Sequence, residues 1–208
     1  MSLTPEINSS LALDADLLEQ QLRQEDALLR GHFRLSSGLH SDTYVQCARF
    51  LRRPELAAPA AASLASQIQA AGLQPDTVVG PAMGGVVVGY ELARQLGVPG
   101  IFTERDADGQ MTLRRGFTVT SGERIIIAED VVTTGKSTLE VARVLREMGA
   151  EVLAVASLID RTGGQGGLDF PHFALLSVQA ATFAPESCPL CAAGVPVVKP
   201  GSRPEKAF

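Results

Sequence analysis

The sequence has few cysteines, no secretion signal and no run of apolar residues long enough to span a bilayer. Its three cysteines, Cys47, Cys188 and Cys191, are too few and of the wrong parity for a disulfide scaffold, so we expect reduced thiols. The first residues lack a basic segment followed by an apolar one, which is the pattern of a signal peptide. No uncharged stretch reaches the length of a transmembrane helix. These absences predict a cytoplasmic protein without membrane contact.

Positive charge is also scarce, because 18 Lys and Arg residues face 23 Asp and Glu residues, for a formal net charge of -5. Proteins that bind nucleic acid or anionic membranes usually carry a basic patch or stripe. This chain has no long Lys or Arg run. The composition therefore argues against both partner classes, while a local basic site for a small polyanion stays compatible with it.

What the sequence does contain is an alternation of apolar runs and helical patterns. Continuous apolar runs, typical of strands buried on both faces, cover residues 77–80, 100–103, 124–129 and 151–159. Helices with an apolar face are predicted at 54–72, 84–97 and 136–149, and one more from 15 to a glycine C-cap at Gly31. The β-α-β-α-β order predicts a parallel sheet with ligands bound beyond the carboxyl ends of its strands.

The most informative stretch is IIIAEDVVTTGKST, residues 125–138. A predicted strand ends at Glu129 and Asp130, a loop of small residues follows, and a helix begins at about Ser137. The loop N–H groups, its hydroxyls and the positive end of the helix can together surround a phosphate group. Adjacent carboxylates accept hydrogen bonds from hydroxyls, as the diol of a ribose would require. The stretch predicts a ligand that carries a ribose and a 5-phosphate.

Two other interpretations of this stretch are weaker. A Walker A motif needs a glycine five positions before Gly135, but Asp130 stands there, and its carboxylate would repel a wrapped triphosphate. The acids and threonines could instead cap a helix and fill a turn, which is common for an isolated Asp-Thr pair. That interpretation leaves most of the string unexplained.

The strand, the paired acids and VVTTGKS resemble the 5-phosphoribosyl-1-pyrophosphate (PRPP) motif of type I phosphoribosyltransferases. Within that group the chain is similar to the orotate phosphoribosyltransferases, because three further segments occur in that family's order and approximate spacing. These segments are GHFRLSSGLHSDTYVQ (31–46), GPAMGGVVVGYELARQLG (80–97) and SLIDR (157–161). The resemblance implies an α/β fold of the type I phosphoribosyltransferase kind, with a parallel sheet, helices on both faces, an N-terminal hood and a flap hairpin.

The same resemblance implies one domain over residues 1–208, with the hood at about 1–50, the core at 51–180 and a tail at 181–208. It assigns PRPP binding to the residues of the acidic loop: Glu129, Asp130, Val131, Val132, Thr133, Thr134, Gly135, Lys136 and Ser137. It places Thr133, Arg161 and Tyr44 near orotate. A guanidinium suits that role because it offers a carboxylate paired N–H donors. Arg161 could instead form a salt bridge with Asp160, and Tyr44 could simply pack in the core.

A second loop follows the first buried strand and holds Ala82, Met83, Gly84 and Gly85, whose backbone can approach an anion closely. The resemblance implies that this loop binds pyrophosphate, although many relatives have a lysine where Gly84 stands. Residues 103–117, TERDADGQMTLRRGF, contain a strong turn signal and predict an exposed hairpin.

In the family the corresponding hairpin reaches into the active site of the neighbouring subunit. Arg105, Arg114 and Arg115 are therefore expected to cover the pyrophosphate in trans. The alternative is a solvated hairpin with surface arginines.

The resemblance implies a pentosyltransferase that moves ribose 5-phosphate from PRPP to orotate, giving orotidine 5′-monophosphate and pyrophosphate in pyrimidine biosynthesis. It implies a homodimer that uses Mg²⁺ held mainly by PRPP, with no direct protein ligand. Departure of pyrophosphate leaves positive charge on the ribose and negative charge on the leaving group. Asp130, Arg105, Arg114 and Arg115 are accordingly the expected catalytic residues. A PRPP-binding regulatory protein and a transferase for another base remain alternatives.

The histidines and the cysteine pair have no role in this scheme. His32, His40 and His172 are isolated in sequence and are expected to be structural. Cys188 and Cys191 resemble half of a zinc ribbon, but a structural zinc needs four ligands and the chain has no second cysteine pair. We expect a proline-stiffened tail with two reduced thiols, and a zinc ion shared between two subunits is the alternative.

Overall fold

The structure is a computed structural model that describes residues 13–35, 37–164 and 167–200. The start of the chain, on which the signal-peptide prediction rests, and the end of the tail lie outside these residues. The helices are α1 (Ala15–Gln24), α2 (Cys47–Leu51), α3 (Pro54–Ala70), α4 (Gly84–Leu96), α5 (Lys136–Glu147) and α6 (Pro189–Ala192). The strands are β1 (Leu28–Arg34), β2 (His40–Val45), β3 (Thr77–Pro81), β4 (Gly100–Arg105), β5 (Met111–Leu113), β6 (Arg124–Val132), β7 (Glu151–Asp160), β8 (His172–Ser177) and β9 (Thr182–Phe183).

The core is a six-stranded sheet of order β5-β4-β3-β6-β7-β8, parallel except for β5, which pairs antiparallel with β4. The side chains of Ile125, Ile126 and Ile127 are fully buried, and they alternate between the two faces of the sheet. One face packs against α1, α3 and α4, and the other packs against α5. The predicted parallel sheet with helices on both faces is confirmed. No helix in the described part of the chain is both long and apolar enough to cross a bilayer.

The first helix is shorter than its sequence pattern predicts. Asp14 caps it, because its side chain accepts a hydrogen bond from the Leu17 N–H, but α1 ends at Gln24 rather than running to Gly31. Leu28 continues the apolar periodicity of the helix, yet it pairs with Val45 in β1 and β2. Tertiary strand pairing outweighs the local helical preference here, so the predicted C-cap at Gly31 is wrong.

A second, smaller sheet of order β1-β2-β9 forms the hood. The tail covers both edges of the hairpin formed by β1 and β2. Strand β9 pairs with β2, and Val198 lies parallel to β1, where it accepts from the Arg34 N–H at 2.9 Å and donates to the His32 carbonyl at 2.8 Å. The hood therefore combines a hairpin from residues 28–45 with tail residues from 182 to 198, which follow more than 130 residues later.

The flap is also present. Strands β4 and β5 pair antiparallel with Thr103 opposite Leu113, and Gly109 adopts a positive φ of 77° in the turn between them. Because β4 extends from the edge of the parallel sheet, the hairpin rises from the same sheet end as the loops after β3 and β6. This confirms the predicted hairpin and places it at the edge where a ligand is expected.

Candidate active site

A cavity opens at the carboxyl ends of β3 and β6, between the acidic loop, the loop after β3 and the flap. Its lining comprises Pro81, Ala82, Gly84, Arg105, Met111, Glu129, Asp130, Val131, Val132, Thr133, Thr134, Gly135, Lys136, Ser137 and Thr138. All nine residues predicted to bind PRPP are in this set. Parallel pairing of β3 with β6 brings the two loops side by side, because the two strands end at the same edge of the sheet.

The turn from β6 into α5 leaves backbone donors available. Gly135 adopts a left-handed conformation with φ 74°, and α5 starts at the next residue without a side-chain N-cap hydrogen bond. Thr133 and Thr134 are exposed beside this helix end, and Ser137 is half-buried. The first N–H groups of a helix need an acceptor and carry partial positive charge, so this end of α5 suits a phosphate group.

The paired acids lie in a desolvated position. Glu129 is only 7% exposed, and burial together with the nearby charge of Asp130 raises its pKa to about 8. The Thr138 hydroxyl is 3.5 Å from Glu129 Oε1, and its hydrogen bond lowers the pKa of Glu129, against the effect of burial. Burial also raises the pKa of Asp130, although the Val131 N–H donates to its Oδ1 at 2.9 Å. The site therefore favours a ligand that brings hydroxyl donors or positive charge to these two carboxyls.

Gly84 and Asp130 are in close contact across the cavity. A Cβ atom at residue 84 would lie 2.7 Å from Asp130 Cγ and closer still to one carboxylate oxygen. Neighbouring Gly85 is buried, and a Cβ there would lie 2.7 Å from Pro81 Cδ. A lysine at residue 84, as the family resemblance would lead us to expect, therefore cannot be accommodated here unless Asp130 moves.

The loop after β3 divides into lining and supporting residues. Ala82 and Gly84 face the cavity, whereas the side chain of Met83 is 83% exposed and Gly85 packs beneath the loop. Met83 and Gly85, both predicted in the pyrophosphate loop, are not among the lining residues.

Of the three flap arginines, Arg105 reaches the cavity of its own chain. Its guanidinium donates to Glu140 Oε2 at 2.6 Å and to the Gly109 carbonyl at 2.7 Å. Arg114 and Arg115 are outside the lining and both pair with Glu104, at 3.5 and 3.0 Å. Of the three predicted flap arginines, Arg105 alone therefore lines the cavity of its own chain.

The predicted orotate residues Arg161 and Tyr44 are also outside the cavity lining. Arg161 follows β7, and its N–H donates to the Val132 carbonyl at 2.8 Å, which places it next to the acidic loop. Burial lowers its pKa while the charge of Asp42 raises it, and its buried Nε has no hydrogen-bond partner among the described residues. Tyr44 packs against Phe33 with ring centroids 5.8 Å apart. Only Thr133 of this trio is in the lining.

Sequence reasoning missed three lining residues, Pro81, Met111 and Thr138. Thr138 had a local signal, because it directly follows Ser137 in the same motif. Pro81 closes the predicted strand before the glycine loop, so it had a positional signal as well. Met111 had none, because only the folding of the hairpin brings it to the cavity.

The raised pKa of Glu129 predicts a pH effect on stability. Glu129 keeps its proton in the folded chain up to about pH 8, whereas an unfolded glutamate ionises near its ordinary value, so stability falls as the pH rises between these values. From pH 6.5 to pH 8 we expect wild type to lose about 1.5 kcal/mol of unfolding free energy relative to Glu129→Gln. Urea denaturation at both pH values measures this difference.

Glu123→Gln is the matched control. Hydrogen bonds from Thr77 and Thr120 lower the pKa of Glu123, so this carboxyl is ionised in both states throughout the window and its removal should leave the slope unchanged. Identical slopes for wild type and Glu129→Gln would contradict the prediction.

The chain matches the family described as the phosphoribosyl transferase domain over residues 50–189. It is 53% identical over 180 residues to the orotate phosphoribosyltransferase of Carboxydothermus hydrogenoformans, covering 86% of this chain and 94% of that protein. It is 48% identical over 191 residues to the orotate phosphoribosyltransferase of Caldicellulosiruptor bescii, covering 92% and 99%. Its fold is similar to the crystal structure of the Aeropyrum pernix orotate phosphoribosyltransferase, with a TM-score of 0.66, 26% identity and coverage of 77% and 93%. Together with the acidic loop, these likenesses show that the chain belongs to the orotate phosphoribosyltransferase family.

Proposed function

We propose that the cavity binds PRPP and transfers its ribose 5-phosphate to orotate, producing orotidine 5′-monophosphate and pyrophosphate in pyrimidine biosynthesis. The observation that carries this proposal is the juxtaposition of two acids, buried Glu129 and half-buried Asp130, with the uncapped start of α5. A ligand with a diol and a phosphate on one sugar satisfies both groups at once. Membership in a family of pentosyltransferases supports the same conclusion.

In this mechanism the residues of the acidic loop bind and orient the sugar. The N–H groups from Gly135 to Ser137, with the hydroxyls of Thr133 and Thr134, hold the 5-phosphate. Asp130 accepts hydrogen bonds from the ribose hydroxyls, and its charge stabilises the positive ribosyl group as pyrophosphate departs. Glu129 is the more deeply buried of the two acids, and its pKa of about 8 keeps it protonated at neutral pH in the free enzyme.

The loop of Ala82, Met83, Gly84 and Gly85 would receive the pyrophosphate, with Ala82 and Gly84 presenting backbone close to the leaving group. Mg²⁺ bound with PRPP would neutralise charge on that group. The donor set fits this metal, since the lining offers the carboxyl oxygens of Glu129 and Asp130 but no cysteine or histidine. PRPP would supply most of the metal's ligands, and the Asp130 carboxylate would hold its water shell.

Orotate would lie between Thr133 and Arg161, with Tyr44 on the hood side. The buried and unpartnered Nε of Arg161 is a donor that lacks an acceptor, and the carboxylate of orotate supplies one. Asp160 does not accept from this Nε, and its Oδ1 accepts instead from the Thr162 N–H at 2.7 Å.

The enzyme would act as a cytoplasmic homodimer in which Arg114 and Arg115 serve the neighbouring active site. In this chain both arginines pair with Glu104, and the Arg115 guanidinium also lies 5.6 Å from the centre of the Phe102 ring. These partners are on the flap strand β4, and both arginine side chains are more than half exposed, so they can face another subunit. Arg105 would cover the pyrophosphate in its own chain. The protomer would be one domain with a hood, a core and a tail.

Mixing two inactive variants tests the shared flap. The double variant Arg114→Ala/Arg115→Ala lacks the flap function, and Asp130→Asn lacks the ribose site, so a hybrid dimer regains one complete site. We expect random exchange to restore about one quarter of wild-type activity. No recovery despite subunit exchange, measured by native mass spectrometry, would contradict action in trans.

The decisive assay follows loss of orotate absorbance on adding PRPP, with and without Mg²⁺, with adenine, hypoxanthine and uracil as competing acceptors. We expect consumption of orotate alone, and only with Mg²⁺. A regulatory protein is the second candidate, favoured by the glycine at residue 84 in place of a lysine. PRPP binding by calorimetry without turnover of any base would select it.

A further inference from the structure

Outside the lining of the PRPP cavity, two histidines of the hood meet two cysteines of the tail. His32 lies in β1 and His40 in β2, while Cys188 is the N-cap residue of α6 and Cys191 lies within that helix. One ligand atom from each of the four lies within 4.8 Å of every other. Three of the four residues are buried, and Cys191 is exposed. Neither the sequence resemblance nor the proposed reaction uses this cluster.

The distances match a tetrahedral metal site. His32 Nε2 lies 3.5 Å from Cys188 Sγ and 3.7 Å from Cys191 Sγ, and His40 Nδ1 lies 3.3 Å from Cys191 Sγ. Zinc bonds of about 2.3 Å to sulfur and about 2.0 Å to nitrogen require tetrahedral nitrogen-to-sulfur edges of about 3.5 Å. The two ring nitrogens are closer, at 2.8 Å, and would separate by about half an ångström around an ion.

Hydrogen bonding alone does not account for the arrangement. His32 Nδ1 is 2.8 Å from the Val195 carbonyl, which only accepts, so Nδ1 carries the proton and neutral His32 has a single lone pair at Nε2. That one lone pair faces three groups, His40 Nδ1 and both thiols. One cation at the centre would take a lone pair from each ligand atom. The Nδ1 contact to a backbone carbonyl is also the usual support of a metal-bound histidine.

We propose that His32, His40, Cys188 and Cys191 bind one structural Zn²⁺ within a single chain. Two thiolates and two imidazoles in tetrahedral geometry favour zinc, and four protein ligands leave no open position for substrate. Only the cysteine half of this site is recognisable in the sequence, because the chain has no second cysteine pair. The histidines complete it, so no second subunit is needed.

The consequence of the metal is a link between distant parts of the chain. His32 and Cys188 are 156 residues apart, and the ion would fasten the tail to the hood hairpin. Closing so long a loop restricts the unfolded chain, and ligands absent from the unfolded state make binding contribute directly to folding.

The test uses the full chain, purified without chelator. We expect about one zinc per chain by elemental analysis, and the stripped protein should bind Co²⁺ with the visible bands of tetrahedral thiolate coordination. Removing the metal should lower the unfolding temperature by about 5–15 °C, and added Zn²⁺ should restore it. These wild-type measurements need no variant to fold.

Cys191→Ser is the informative variant, because Cys191 is exposed and its replacement does not disturb buried packing. It should weaken zinc binding at least about 100-fold and abolish the thermal response to chelator. Cys47→Ser is the matched control, since Cys47 lies outside the cluster, and it should bind zinc like wild type. Equal zinc binding by Cys191→Ser and wild type, or no zinc and no cobalt spectrum in reduced wild type, would overturn the proposal.

Discussion

Asp130→Asn lowers kcat/KM for PRPP by about 100-fold or more and leaves the unfolding temperature within a few degrees of wild type. The amide keeps the shape of the carboxylate, so its oxygen can still accept from the Val131 N–H and the contact with Gly84 is preserved. It loses the charge that stabilises the ribosyl group and replaces one acceptor by a donor that opposes the ribose hydroxyls. Steady-state kinetics with varied PRPP measure the loss.

Asp76→Asn is the control for this experiment. Asp76 precedes β3 at the opposite end of the sheet and forms an ion pair with Arg124 at 2.8 Å, so its replacement should leave the PRPP kinetics unchanged. If Asp130→Asn had wild-type kcat and KM for PRPP, the ribose assignment would be wrong.

Arg161→Ala is expected to raise the KM for orotate by about 30- to 100-fold and the KM for PRPP by less than about 3-fold. The guanidinium is half-buried and its Nε lacks a protein acceptor among the described residues, so its removal deprives orotate of paired donors without breaking an ion pair in the core. Kinetics with each substrate varied in turn separate the two effects.

Arg161→Lys gives a graded comparison, because lysine keeps the positive charge but not the planar pair of donors. The KM of Arg161→Lys for orotate should lie between the values of Arg161→Ala and wild type. Equal increases in the KM for both substrates would instead assign Arg161 a structural role at the end of β7.

The sheet and the acidic loop were predictable because their signals are local. Ile125, Ile126 and Ile127 form a continuous apolar run and are all fully buried, and the loop residues that follow in sequence also meet in space. The roles of Arg161 and Tyr44 came from resemblance, and the structure places Arg161 at the end of the core strand β7 and Tyr44 in the hood strand β2.

What escaped prediction depends on contacts between distant segments. Only two of the six residues of strand β8 are buried, and the strand is recognised only through its parallel pairing with β7. The chain after Gln24 looked helical because Leu28 falls at a helical spacing, yet pairing with β2 makes it a strand. His32 and His40 looked isolated for the same reason, since their partners Cys188 and Cys191 lie about 150 residues later.

The way the tail borders the hood also bears on the order in which this protein can fold during synthesis. The hairpin of β1 and β2 leaves the ribosome early, but the residues that cover its two edges, Thr182–Phe183 and Val198, are made more than 130 residues later. At typical elongation rates that interval lasts roughly ten seconds. Throughout it both hairpin edges offer unpaired N–H and carbonyl groups to any passing strand. During this interval the hood hairpin is therefore open to mispairing on polysomes, where neighbouring copies carry the same open edges.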